Sequence, residues 1–411
     1  MQYLLSIFSV FIYSFSFSQV NSIEYLANNR TDLLTETKIE IGQAKIIGFG
    51  ALHGSSRTET TENIILTSLV DEHNLKYYFP ETDYSTAFYF QKYIESGDED
   101  LLEELVFEYG AMVPQEKSIE VFKKWKNIRP VFLKNDIRIV GIDKISSYKF
   151  TVKDLVSLIK ENSNWKFRDS LKMLDLDTNT NWTAFYKTET RVILEHFVED
   201  FTKNRAIYHT YIKDTVRFNH ILKNLKHTFN RSYRETIIYK NYLVMKKKFS
   251  LENSVHFCRF GIFHIMKSKL NNGTPFFARL IEDSIYNSSE VLTIQGFLTK
   301  SSVLWESVYD KNGIYQKGIT KKGFGISDYW LEYFYDVKQL KKSKLSDITM
   351  FYLNSENNPY SIKDEFKLIT VKRLFGRSPW IPEAGKSTLD YIDYAILISN
   401  SDANQPIEEL K

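Results

Sequence analysis

The chain has 411 residues, of which 43% are hydrophobic and 15% aromatic, so it can bury a large core. This composition excludes an intrinsically disordered chain. Its 54 basic and 51 acidic residues leave a net charge of +3, which gives no electrostatic sign of nucleic-acid binding. Cys258 is the only cysteine, so no disulfide forms within the chain, and we expect a buried, inert thiol.

The first eighteen residues have the pattern of a signal peptide. Residues 3–17 are an apolar run that is short for a membrane-spanning helix. Ser16 and Ser18 occupy the small-residue positions of a cleavage site, which predicts a mature start near Gln19. The protein is therefore predicted to be exported, either periplasmic or secreted. The alternative is that the segment stays uncleaved as an N-terminal anchor.

Residues 45–81 predict a strand, a turn, a helix and a second strand. Residues 46–49 form an apolar run that ends in a glycine-bracketed turn carrying His53. Ser56 and Glu59 have the spacing of a capping box, which predicts a helix from there to about residue 74. A second apolar run, residues 77–79, delivers Glu81 at its end. Because ligands bind at the carboxyl ends of parallel strands, we expect His53 and Glu81 to face one crevice.

The pattern of strands and helices then continues. Asp83 is predicted to cap a helix over residues 84–95, and helices follow at 99–107 and 116–128. A third buried strand over residues 137–142 ends in Asp143. This alternation predicts an α/β fold, with a mostly parallel β-sheet flanked by helices.

Residues from about 153 to 249 have helical spacing and predict a helical insertion between the third and fourth strands. Further strands are predicted at residues 255–260, 291–297, 348–353 and 394–398. We predict a loop over residues 299–325 and a helix over residues 328–340. Residues 19–399 are thus expected to form one α/β domain, and residues 400–411 a polar, frayed tail.

Several short motifs follow one another in a specific order along residues 45–399. They are LHG (52–54), PET (80–82), YFQKYIESGDED (89–100), FKKWKNI (122–128), IRIVGID (137–143), RETIIYKN (234–241), FGIFHI (260–265), EVLTIQGF (290–297), ISDYWLEYF (326–334) and YIDYAILI (391–398). This series resembles the erythromycin esterase family. The resemblance implies a hydrolase that opens an ester or lactone without a metal.

The resemblance also implies which positions carry the chemistry. The residues that match the family pattern are His53, Glu81, Arg234, Asn241 and His264. Three positions depart from it: Gly50 and Arg57 stand where the family has glutamates, and Gly261 where it has a second histidine. Because Gly50 has no side chain to bond with, we expect His53 to rely on Glu81 alone or on a water in the vacated space.

Ester hydrolysis requires a base for water, a group that orients the base, and a donor to the oxyanion. His53 is the predicted base, Glu81 the group that orients it, and His264 the donor. We expect four further residues to line the substrate site: Arg57, Asp83, Asp143 and Arg234. No cofactor is expected, and the expected partner is a small molecule rather than a nucleic acid, with no membrane span in the mature chain.

Other interpretations remain open for each of these residues. His53 can be an ordinary turn residue, Glu81 an ion-pair partner of Arg234, and His264 the start of a helix. A zinc site built from two histidines and one glutamate is a further alternative. For the whole protein, the alternative is a catalytically degenerate relative that binds a small molecule or a partner in the same cleft.

Overall fold

A computed structural model describes residues 22–410 of the chain, except 51, 112, 178, 312, 323–325 and 357. The signal peptide predicted at residues 1–18 lies outside the described residues. Within these residues, no helix is both long enough and apolar enough to cross a membrane.

The thirteen strands of the described chain belong to one large sheet and two small ones. They are β1 (Arg30–Asp32), β2 (Ile46–Gly50), β3 (Tyr77–Pro80), β4 (Arg138–Ile139), β5 (His256–Phe260), β6 (Val291–Thr299), β7 (Ser302–Tyr309), β8 (Tyr315–Lys322), β9 (Asp328–Tyr329), β10 (Glu332–Phe334), β11 (Ile348–Tyr352), β12 (Val371–Arg373) and β13 (Tyr394–Ser399).

The central sheet has eight strands in the order β1-β11-β13-β6-β2-β5-β3-β4. All neighbours from β13 to β4 pair in parallel, whereas β1 and β11 pair antiparallel. Every residue of β2, β5 and β6 is buried, as expected for strands that helices cover on both faces. The predicted α/β fold with a mostly parallel sheet is confirmed.

Thirteen α-helices lie in the described residues. They are α1 (Ser22–Asn28), α2 (Ser56–His73), α3 (Tyr84–Ser96), α4 (Glu99–Tyr109), α5 (Ile119–Asn135), α6 (Lys149–Leu158), α7 (Lys166–Leu176), α8 (Glu189–Lys203), α9 (Arg205–Tyr208), α10 (Thr215–Phe229), α11 (Arg234–Phe249), α12 (Phe276–Glu282) and α13 (Val337–Ser343).

Helices α6 to α11 follow β4 and precede β5, and the described residues between these two strands contain no other strand. This block has its own apolar core around Trp165, whose ring stacks on Phe197 at 4.8 Å between centroids. Leu194 and Phe201, on α8, are buried in the same core. The packing explains the helical spacing of this part of the sequence.

Three predictions of local structure are wrong, and the buried strand predicted over residues 137–142 is reduced to the two residues of β4, of which Arg138 is exposed. Helix α2 begins after Ser55, which makes no side-chain capping bond, and Glu59 pairs with Lys124 instead of forming a capping box. The predicted loop at residues 299–325 contains the antiparallel hairpin of β7 and β8. The predicted helix at residues 328–340 begins with β9 and β10 and becomes helical only at α13.

The C-terminal segment is also ordered, in contrast to the frayed tail expected from its polar sequence. Ser401 accepts a hydrogen bond from Ser55 Oγ at 2.6 Å, and Asn404 Nδ2 donates to Ser118 Oγ at 2.9 Å. Three residues of the segment are buried: Ser401, Asn404 and Ile407. The segment therefore packs against the starts of α2 and α5, which flank the candidate site.

Candidate active site

The turn that carries His53 follows β2 directly and is held by two other parts of the chain. The carbonyl oxygen of Gly54 accepts hydrogen bonds from Leu304 N at 2.7 Å and Asn404 N at 2.9 Å. Gly54 has a φ of +84°, and a Cβ there would lie 2.5 Å from the carbonyl oxygen of Leu304. The hairpin of β7 and β8 and the C-terminal segment thus fix the position of His53.

The imidazole of His53 is oriented by Glu116, a residue that the sequence analysis did not identify. His53 Nδ1 is hydrogen-bonded to Glu116 Oε1. Glu116 closes a short 3₁₀ turn, Pro114–Glu116, and only 3% of its side chain is exposed. Burial alone would raise the pKa of Glu116, but His53, Lys124 and Arg259 lower it to about 2. Glu116 is therefore an ionised acceptor for the Nδ1–H of His53.

Glu81, at the end of β3, lies between the two predicted histidines. Its Oε2 is 3.7 Å from His53 Nε2, and its Oε1 is 3.7 Å from His264 Nε2. Gly261 N donates to Oε2 at 2.9 Å, and Arg234 Nη2 donates to Oε1 at 2.5 Å. Burial opposes ionisation, yet Arg234 and the two histidines lower the pKa of Glu81 to about 2. The predicted grouping at the carboxyl ends of β2, β5 and β3 is therefore present in the structure.

His264 lies in the 3₁₀ turn Ile262–Ile265, directly after β5. Its Nδ1 is 2.5 Å from Glu235 Oε1, and Glu235 is buried in the first turn of α11. Glu235 was missed although it follows Arg234 in the motif RETIIYKN, because a first-turn acid is common at any helix N-terminus. A carboxylate thus faces each ring nitrogen of His264: Glu235 at Nδ1 and Glu81 at Nε2.

Arg234 joins Glu81 to Asp143, which lies four residues after the end of β4. Its Nε donates to Asp143 Oδ1 at 2.9 Å and its Nη2 to Asp143 Oδ2 at 2.5 Å, a two-pronged contact. Glu81 therefore does pair with Arg234, as one of the alternative interpretations predicted. The same carboxylate also lies between the two histidines, so the ion pair does not exclude a role for Glu81 beside His53. Asn241, also on α11, donates to the carbonyl oxygen of Ile142 at 3.0 Å and so ties this helix to the β4 segment.

A buried charged network lies behind Glu116. Arg259 Nη2 is 3.6 Å from Glu116 Oε1, and Arg259 Nε is 3.3 Å from Glu62 Oε2. Lys124 Nζ lies 2.9 Å from Glu62 and 2.7 Å from Glu59. Burial raises the pKa of Glu59 to about 7, although Lys124 opposes this shift. The network fixes Arg259 on β5 beside the carboxylate that orients His53.

The two glycines that depart from the family pattern have different surroundings. A Cβ at Gly50 would lie 2.8 Å from Ile262 Cα and 2.9 Å from Ile265 Cδ1, so the expected water-sized space beside it is absent. A Cβ at Gly261 would meet nothing closer than 3.6 Å, and it would lie 4.0 Å from both His53 Nε2 and Glu81 Oε1. A side-chain carbon therefore fits at Gly261 with ordinary contacts, whereas it does not fit at Gly50.

Two of the four residues predicted to line the substrate site have other contacts. Arg57 pairs with Asp347 at 3.2 Å and donates to the carbonyl oxygen of Asn400, not to a residue of the histidine cluster. Asp83 caps α3 by accepting from Ser85 N and Thr86 N, as predicted for an N-cap. Burial raises the pKa of Asp83 to about 6. Asp143 and Arg234 lie at the site, as described above.

The described ranges contain no group of three or more histidine, cysteine, aspartate or glutamate side chains arranged to hold a metal ion. In the histidine cluster, carboxylates already occupy Nδ1 of both rings.

Cys258, on β5, is buried as expected, and burial raises the pKa of its thiol well above its usual value.

Solved structures share this fold over nearly the whole chain. A protein from Bacillus cereus superposes with a TM-score of 0.60 at 16% identity, covering 94% of this chain and 98% of that one. A succinoglycan biosynthesis protein gives a TM-score of 0.58 at 14% identity, over 94% and 98% of the two chains. An erythromycin esterase, EreC, in the open conformation of a histidine-to-asparagine mutant, gives 0.60 at 12% identity, over 92% and 98%.

No sequence-family profile matches this chain, and no curated protein matches it. The structural similarity therefore shows a shared fold and a distant structural relationship to an erythromycin esterase.

Proposed function

We propose that the protein is a hydrolase of an ester or lactone in which His53 acts as the general base. One observation carries this proposal: Glu116 binds Nδ1 of His53, while Nε2 lies beside Gly261, where the site has room for a further atom at ordinary contact distances. An imidazole held in this way keeps its Nε2 lone pair free to accept a proton from water. Of the histidines and carboxylates in the cluster, His53 has the most exposed side chain, at 18%.

The first step follows from this geometry. A water beside Nε2 gives its proton to His53 as its oxygen attacks the carbonyl carbon of the substrate, which forms a tetrahedral oxyanion. The positive charge that develops on His53 lies between two carboxylates, Glu116 at Nδ1 and Glu81 at 3.7 Å from Nε2. Both carboxylates are ionised, because their pKa values are lowered to about 2. They stabilise the imidazolium and so lower the barrier.

In the second step the oxyanion collapses, the bond to the leaving oxygen breaks, and that oxygen takes up a proton. The products are a carboxylic acid and an alcohol, which are joined in one molecule when the substrate is a lactone. His264 is the proposed donor of that proton, because its ring also borders Gly261: a Cβ there would lie 3.6 Å from His264 Cδ2 and 4.0 Å from His53 Nε2. His53 then releases to solvent the proton that it took from water, and His264 takes one up from solvent, so both histidines return to their starting states.

A second candidate function is ligand binding without turnover in the same cleft. The observation that favours it is the empty position at Gly261, where the resembled family has a further histidine. In addition, Arg234 and the Gly261 N–H already occupy the oxygens of Glu81. A degenerate relative would keep the cleft and its charges while lacking one proton-transfer group.

Turnover of a panel of chromogenic esters and lactones by the purified protein distinguishes the two functions. The hydrolase predicts measurable hydrolysis of at least one member of the panel, reduced by roughly 10² or more in His53→Ala. His196→Ala is the matched control, because His196 is exposed and lies on α8. Equal rates in wild type and His53→Ala on every substrate would leave only the binding function.

A further inference from the structure

A cavity near the candidate active site is lined by basic and aromatic side chains. It has a volume of about 420 Å³, within the range of pockets that hold one small organic molecule. Lys144, Arg191, Arg231 and His227 contribute basic groups to its wall, and Phe185 and Tyr186 contribute rings. None of its lining residues is acidic. The chemistry of this wall is that of a binding pocket for an organic anion.

The cavity shares two chain segments with the catalytic cluster. Lys144 directly follows Asp143, and its backbone N–H donates to Asp143 Oδ1 at 2.7 Å. Arg231 lies in the turn that precedes α11, three residues before Arg234. Two residues of the cavity wall are therefore close in sequence to the Asp143–Arg234 ion pair. Arg234 of that pair also binds Glu81.

Two of the cations in the wall are not neutralised. Arg191 pairs with Glu195 at 2.8 Å, whereas no salt bridge involves Lys144 or Arg231 in the part of the chain that the structure describes. The only carboxylate next to Lys144 in sequence, Asp143, is already bound by Arg234 through both oxygens. Lys144 and Arg231 are thus free to bind an anion from solution.

The aromatic side chains indicate what the anion is attached to. Lys144 Nζ lies 5.2 Å from the centre of the Phe185 ring, so the charge and the ring line the same part of the cavity. Phe185 is 40% exposed and Tyr186 is 71% exposed, so both rings are accessible to a ligand from solvent. A flat apolar group against Phe185 would lie close to Lys144, which would bind a carboxylate attached to that group.

We propose that this cavity binds an organic carboxylate that carries an aromatic or similarly flat apolar group, and that the substrate or the acid product of the site is such an anion. The statement about the substrate or product rests on the proposed hydrolase function, while the binding site itself does not. The carboxylate has two sources: an acid group on the ester substrate, or the free acid that hydrolysis releases.

Binding is tested with 2-naphthoate, a fluorescent aromatic carboxylate, and with the neutral isostere 2-acetylnaphthalene. Wild type should bind naphthoate more tightly than the neutral probe, and its affinity should fall as salt is added. The double variant Lys144→Met/Arg231→Gln should bind naphthoate roughly fivefold or more weakly, with little change for the neutral probe. Lys247→Met is the matched control, because Lys247 is exposed at the opposite end of α11.

Naphthoate binding should be unchanged in His53→Ala, which separates this inference from the proposed catalysis. Loss of all ester turnover with intact, charge-dependent naphthoate binding would sink the hydrolase and leave the pocket. No naphthoate binding, or equal affinity in wild type and the double variant, would overturn the pocket. Turnover of an ester with a free carboxylate above its neutral methyl ester would place the anion on the substrate, and equal turnover would place it on the product acid.

Discussion

The Nδ1 atom of His53 is hydrogen-bonded to Glu116, which lies 63 residues further along the chain. In the family that this sequence resembles, an acid stands three residues before the histidine, at the position of Gly50. Here Ile262 and Ile265 fill the space beside Gly50, and the acid comes from a separate 3₁₀ turn. The departure at Gly50 therefore does not leave His53 without a carboxylate partner.

Glu116→Gln should lower kcat by roughly 10² or more with a smaller change in KM, because an amide neither fixes the His53 tautomer nor stabilises its charge. The measurement is the steady-state rate on the best ester of the panel. Glu103→Gln is the control, because Glu103 is an exposed acid on α4 and its removal should leave kcat within about twofold. A rate for Glu116→Gln equal to that of wild type would show that the bond to His53 has no catalytic role.

Alanine at Gly50 should destabilise the protein, whereas alanine at Gly261 should have little effect on its stability. Gly50→Ala should lower the free energy of unfolding by about 1–3 kcal/mol, because its Cβ would lie 2.8 Å from Ile262 Cα. Gly261→Ala should change it by less than about 1 kcal/mol, since its backbone has φ −59° and ψ 154° and the new Cβ would make only ordinary contacts. Urea denaturation of both variants checks this. Equal losses would contradict the packing described around Gly50.

The stability of the protein should fall in acid in a way that depends on Glu81. Its pKa is about 2 in the folded protein against an ordinary value of 4.5, so ionised Glu81 stabilises the fold above about pH 4.5. That contribution, at most about 3 kcal/mol, is lost as the pH falls from 4.5 towards 2. Denaturant unfolding at stepped pH should show a shallower loss in Glu81→Gln than in wild type, and Glu103→Gln should follow wild type. An identical slope in Glu81→Gln would show that the carboxylate is not held as described.

Export of the protein remains a prediction from residues 1–18 alone. N-terminal sequencing of the mature protein should find a start near Gln19, because Ser16 and Ser18 form a small-residue cleavage site. An intact Met1 in purified protein from the native secretion route would remove the signal-peptide interpretation.

The sequence predicted the residues whose position depends on strand ends. His53, Glu81 and His264 each follow a buried parallel strand, and the carboxyl ends of such strands meet at one edge. Glu116 was not predicted, because it follows no strand and the pattern of residues 116–128 reads as one helix that begins with an acid. Its position depends on the 3₁₀ turn Pro114–Glu116, which lies between α4 and α5 in the chain.

The supports of the His53 turn were also missed, for a different reason. The burial of β7 and β8 does not alternate along either strand, and no residue of β8 is buried, so the hairpin has no period of two that the sequence could reveal. The C-terminal segment has few apolar residues, and its order comes from hydrogen bonds to Gly54, Ser55 and Ser118. Contacts between distant polar residues leave no periodic signal in a sequence.

The central claim is that His53 is the general base and that Glu116 acts only by orienting it. A double-mutant cycle tests this claim most directly. The four proteins are wild type, Glu116→Gln, His53→Ala and the double variant, compared by kcat/KM on one ester. Because an orienting acid has no function without its base, the double variant should match His53→Ala within about twofold, while each single variant loses roughly 10² or more. Losses that multiply in the double variant, or a His53→Ala protein as active as wild type, would contradict the claim.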